Sequence, residues 1–100
     1  MNIETMQKNA AEVSALMKTL SNTNRLMVLC QLTEGERSVG ELAEMLEIRM
    51  PAMSQQLNLL RLEKIVESRR DGQTIYYSLA REDIKKMITF LYTTYCNPLS

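Results

Sequence analysis

The chain has 100 residues, 45% of them hydrophobic and 24% charged, with a formal net charge of zero. That is one ordinary globular domain with a modest core, in which dimerisation would help stability and disorder is not expected. The absence of histidine and tryptophan and the presence of only two cysteines remove most zinc, copper and nickel chemistry and every histidine-based catalytic arrangement.

No run approaches the roughly 18 apolar residues of a membrane span. Met1-Asn2-Ile3-Glu4 lacks the basic and apolar regions of a secretory signal, so the expected compartment is the cytoplasm, where thiols stay reduced.

Glu4 to Leu20 reads as a helix. Met6, Ala10, Val13, Met17 and Leu20 step by four and three, a narrow seam suited to another helix, including one from a second subunit. Ser21-Asn22-Thr23-Asn24 then offers caps for a helix from about Thr23 to Leu32. Leu26, Met27, Val28, Leu29, Cys30 and Leu32 make that helix apolar nearly all round, which predicts the buried centre of the domain.

After the polar break Thr33-Glu34-Gly35-Glu36-Arg37, Ser38-Val39-Gly40-Glu41 fits the capping box of a short third helix ending near Leu46. Pro51 suits the first turn of a fourth helix, whose inner stripe is Met53, Leu57 and Leu60. Ile65–Arg70 and Gln73–Leu79 read as strands around Asp71-Gly72, a two-residue hairpin signal of type I′. A last helix runs from Arg81 to Cys96, with Ile84, Ile88, Leu91 and Tyr95 as its stripe and Asn97-Pro98 as its stop. Most methionines, including Met6, Met17, Met53 and Met87, fall at inner helical positions and are expected to fill core. The expected fold is mainly α with a β-hairpin, in the order α-α-α-α-β-β-α, a single domain over residues 1–100.

A helix-turn-helix at about 38–63 followed by a hairpin wing at about 65–79 is a DNA-docking device whose second helix enters the major groove. The charge distribution agrees. Residues 1–48 hold four basic and seven acidic side chains, a balance of −3, whereas residues 49–86 hold eight against five, a balance of +3. Ser54, Gln55, Gln56 and Asn58 lie on the outer side of the fourth helix and are of the types that hydrogen-bond base edges. A merely solvated face would look similar, but the adjoining helix and hairpin favour DNA. Arg49, Met50, Arg61, Lys64, Arg69, Arg70, Gln73 and Thr74 complete the expected interface, the cations meeting phosphate. A charged edge strand guarding against aggregation is the other reading of the hairpin cations. No nucleophile–base pair or phosphate loop is visible, so no enzyme is expected.

Leu20-Ser21-Asn22-Thr23-Asn24-Arg25-Leu26, Ser54-Gln55-Gln56-Leu57 and Arg69-Arg70-Asp71-Gly72 together resemble the approach to the second helix, the recognition helix and the wing of the ArsR/SmtB family of winged-helix bacterial repressors. The likeness covers nearly the whole chain. It implies a cytoplasmic homodimer built by the first and last helices (about 4–20 and 81–96) on a near-palindromic double-stranded operator. The metal-sensing members' Cys-x-Cys cluster is replaced by Ser38-Val39-Gly40-Glu41-Leu42, and the last helix has Asp83 but no histidine, so no metal or other cofactor is expected. Gln56 stands where many members have histidine. Cys30 and Cys96 resemble the pair in the thiol-based subgroup of BigR, SqrR and HlyU, which implies that they approach each other and answer reactive sulfur species or oxidants. Read without that likeness, Cys30 is a small core hydrophobe and Cys96 an incidental thiol with no electrostatic activation. A family regulator or antisilencer with no thiol switch is the alternative.

Overall fold

The computed structural model describes residues 2–96. Helix α1 (Ile3–Leu20) begins one residue before the expected Glu4, because the Asn2 side chain accepts hydrogen bonds from the N–H groups of Glu4 (2.7 Å) and Thr5 (3.3 Å). Glu4 in its first turn and Lys18 in its last oppose the helix dipole. Helix α2 (Thr23–Leu32) is capped by Asn22, whose side chain accepts from the Arg25 N–H at 3.1 Å.

The capping box forms as expected. The Ser38 N–H donates to Glu41 Oε1 at 2.9 Å and the Glu41 N–H donates to Ser38 Oγ at 3.1 Å, starting helix α3 (Val39–Leu46). Helix α3 ends on Glu47 in the left-handed conformation (φ 54°, ψ 42°), and α4 (Met50–Leu62) follows with Pro51 in its first turn. Met53, Leu57 and Leu60 are buried, so the predicted inner stripe is the real one.

Strands β2 (Val66–Asp71) and β3 (Thr74–Leu79) pair antiparallel from Val66 opposite Leu79 to Asp71 opposite Thr74. The loop is therefore Gly72-Gln73, one residue later than the expected Asp71-Gly72. Gly72 alone in this loop has positive φ (64°), at the first loop position, where a type II′ turn carries its glycine; a type I′ turn needs two. A further strand, β1 (Arg37–Ser38), pairs with Tyr77 and Tyr76, giving a three-stranded sheet in the order β1-β3-β2. Two residues are too short for a strand pattern to be visible in sequence.

Helix α5 (Glu82–Leu91) buries Ile84 and Ile88 and half-buries Leu91, then passes into a π-helical turn, Tyr92–Cys96. The expected single helix to Cys96 thus changes pitch. At that point the Thr93 hydroxyl donates to the carbonyls of Thr89 (2.9 Å) and Phe90 (3.2 Å), the first being the acceptor an α ladder would use. The expected Asn97-Pro98 stop lies outside the described residues.

One core joins Leu20, the inner faces of α2, α3, α4 and α5, and Tyr77 of the sheet. Two expectations change here. Helix α2 packs against α1, α3, α5 and β3 but is not wrapped on all sides: Val28, Leu29 and Leu32 are buried, Leu26 and Cys30 half-buried and Met27 exposed. Methionine is also not mainly core filling. Met53 is buried and Met87 packs against the core, but Met6 and Met17 are exposed on α1, whose seam reaches the core only at Leu20 among the described residues. Among the described residues, no helix is long and apolar enough to cross a membrane.

Candidate nucleic-acid interface and thiol pair

Burial of Met53, Leu57 and Leu60 turns the other side of α4 to solvent. Ser54, Gln55, Asn58 and Arg61 are exposed there. Arg61 Nη2 donates to Asn58 Oδ1 at 2.8 Å, so these two present themselves as one unit: an amide N–H₂ beside a guanidinium. Gln56 differs from its neighbours. It is half-buried, and its Oε1 is out of water with no hydrogen-bond partner. Arg49 and Met50 are exposed where the helix starts.

Met50 and Ser54 share a groove of about 430 Å³ with Gln73, Thr74 and Ile75 of the hairpin and with Ser38, Val39 and Gly40 at the start of α3. The fold thus brings the beginning of α4 and the hairpin tip to one cleft. Ser38, Val39, Gly40 and Ile75 were missed as lining residues. The capping box was the available signal, since it marks a helix start whose remaining first-turn N–H groups face outward.

The hairpin cations fall into two kinds. Arg70 is exposed at the tip, its Nε donating to the Gly72 carbonyl at 3.2 Å. Arg69 is committed elsewhere. Its guanidinium donates twice to the Glu36 carboxylate and lies over the Tyr76 ring, 4.7 Å from the centroid. Lys64, just after α4, is exposed with φ 62°.

Cys30 and Cys96 are free thiols, the first half-buried on α2, the second exposed in the π-helical turn. Burial, and then the charge of Cys96, push the Cys30 thiol above its ordinary range. The two cysteines stand 66 positions apart in the sequence. Among the described residues, no group of three or more histidine, cysteine, aspartate or glutamate side chains could hold a metal ion.

Residues 22–68, from the α2 cap into β2, match the family model described as "Bacterial regulatory protein, arsR family". The chain is 47% identical over 93 residues to the biofilm growth-associated repressor of Agrobacterium fabrum, covering 93% of this chain and 80% of that protein. The chain belongs to the ArsR family. The transcriptional activator HlyU of Vibrio cholerae is 42% identical over 96 residues, covering 96% of this ArsR-family chain and 89% of the activator. The solved structure of reduced HlyU superposes with a TM-score of 0.90 at 40% identity, covering 95% of this chain and 100% of that one. The transcriptional repressor BigR of Xylella fastidiosa superposes with a TM-score of 0.86 at 46% identity, covering 95% and 94%. The resemblance read from the sequence is thereby met. This ArsR-family protein is a winged-helix transcription regulator, not an enzyme.

Proposed function

We propose that the protein is a homodimeric, sequence-specific repressor that leaves its operator when Cys30 and Cys96 are joined by reactive sulfur species or oxidants. Helix α4 reads base edges through Ser54, Gln55, Asn58 and Arg61, with Gln56 in support, and Arg49, Met50, Lys64, Arg70, Gln73 and Thr74 seat it on the backbone. The observation that carries this reading is the division of α4: Met53, Leu57 and Leu60 are packed in the core, while Ser54, Gln55, Asn58 and Arg61 form an exposed polar stripe whose start meets the hairpin across a common groove.

The dimer is supported by α1. Met6, Val13 and Met17 form an exposed apolar seam, and Phe90 and Tyr95 near the C-terminal end are exposed as well. Two reading heads related by a two-fold axis call for half-sites about one DNA turn, roughly 34 Å, apart.

Cys96, the exposed thiol, meets the reagent first. Its thiolate attacks the sulfane sulfur of a persulfide and the donor leaves as a thiolate; Cys30 then attacks the Cys96 sulfur and expels hydrosulfide, leaving a disulfide. Further sulfur transfer before closure gives a polysulfide bridge. Because Cys30 is pushed up, the closing step should quicken as pH rises and its thiolate fraction grows. A bridge ties the chain's last turn to α2, and a coupling of only about 1–3 kcal/mol changes occupancy about 5–150-fold.

A regulator or antisilencer without this switch is the second reading, favoured by the burial that pushes the Cys30 thiol up and by a relative named as an activator. Intact mass and binding to DNA upstream of the protein's own gene, after persulfide, glutathione disulfide or peroxide, separate the two. A mass change that bridges both cysteines and releases DNA is expected, with Cys30→Ser and Cys96→Ser proteins remaining bound. Release of either variant by the same reagents would sink the paired switch and leave the DNA reading standing.

A further inference from the structure

Glu36 lies outside α4 and the hairpin, yet it is bonded directly to a wing arginine. Gly35, at φ 143°, turns the chain in a conformation that favours glycine and delivers Glu36 to the edge of the sheet. Ser38 of β1, Tyr76 of β3 and Arg69 of β2 form one row across the three strands. Glu36 lies two residues before Ser38, immediately ahead of β1. From there Arg69 Nε donates to Glu36 Oε2 at 2.8 Å and Nη2 to Oε1 at 2.6 Å, with the Tyr76 ring beneath the guanidinium. Arg69 therefore spends two of its five N–H groups and its whole charge on a partner 33 positions away in sequence.

We propose that Glu36 is a positioning residue of the DNA interface that withholds charge from it: by strapping Arg69 across the sheet, it steadies the wing and leaves Arg70 as the hairpin's one uncompensated arginine. This rests on the DNA reading above. Binding through phosphate releases counterions in proportion to the charges neutralised, so a pre-neutralised arginine adds grip without adding salt dependence. The effect belongs to the backbone term and is independent of operator sequence.

The test is fluorescence anisotropy over a salt series, using a mixed-sequence duplex of about 30 base pairs long enough to seat both heads. Glu36→Gln frees one positive charge per wing. The slope of log K against log salt should steepen by about 0.9 per wing, with binding on the order of fivefold tighter at about 0.1 M salt. Glu67→Gln, an equal charge change on Arg69's own strand β2 that leaves the strap intact, should have less than half that effect. The double variant Glu36→Gln with Arg69→Gln should return to the wild-type slope, and melting of all variants reports their folding. An unchanged slope in Glu36→Gln, or equal effects of Glu36→Gln and Glu67→Gln, would overturn the inference alone. Salt-independent binding by the wild-type protein would overturn the DNA reading and this inference with it.

Discussion

Helices α1 and α4 are both amphipathic, but only one is satisfied by its own chain. Helix α4 places three large side chains, Met53, Leu57 and Leu60, wholly in the core over 13 residues. Helix α1 runs for 18 residues and buries one, Leu20, leaving Val13 at 48% and Met17 at 57% exposure. The same four-three spacing therefore has different outcomes: in α4 it is the protomer's core, and in α1 most of it stays exposed.

Breaking the two helices separately sharpens this contrast. Leu57→Ala, which opens a cavity beneath the reading face, should destabilise the protomer by about 2–5 kcal/mol, seen in chemical denaturation. Met17→Asp should leave the protomer's own packing alone. It would bury a carboxylate in the proposed dimer seam, at about 3 kcal/mol or on the order of 100-fold in the dimer dissociation constant by analytical ultracentrifugation. Equal loss of protomer stability in both variants would erase the distinction.

The head also depends on its cap. Ser38→Ala should cost roughly 1 kcal/mol. Hydrogen bonds from the Ser38 backbone, then its hydroxyl, hold the Glu41 carboxyl below its usual range. A lowered folded value means that stability is present above the unfolded carboxylate range and is lost as pH falls through the folded one. Urea melts stepped from neutral pH downward should therefore show a smaller acid loss in Ser38→Ala than in the wild type. The smallest effect expected is a gain. Glu47 holds φ 54° between α3 and α4, so Glu47→Gly should add about 0.5–1 kcal/mol by relieving the left-handed conformation. A loss there would mean that the Glu47 side chain makes a contribution larger than that strain.

Much of the fold could be read beforehand because its signals are local. The Ser38–Glu41 box, Pro51 at a helix start and the Met53-Leu57-Leu60 stripe each act within one or two turns of chain, where spacing and geometry are equivalent. The hairpin was visible from its β-formers and its glycine, but its loop moved by one residue, because register is decided by how β2 and β3 pair and not by the turn residues alone. Of the expected interface, Met50, Ser54, Gln73 and Thr74 meet at one groove. Gln56 turned partly inward and Arg69 was captured by Glu36, outcomes that no periodicity encodes.

Residue order by itself determined the elements, their caps, the polar side of α4 and the family, since these follow from short-range backbone preference and from motif. Tertiary structure alone decided which apolar seam is covered, that Arg37–Ser38 completes a sheet, that Arg69 is tied to Glu36 and that Cys30 feels the charge of Cys96. Those are contacts between residues remote in sequence. Their energies depend on distance and burial, and both quantities exist only once the chain has closed on itself.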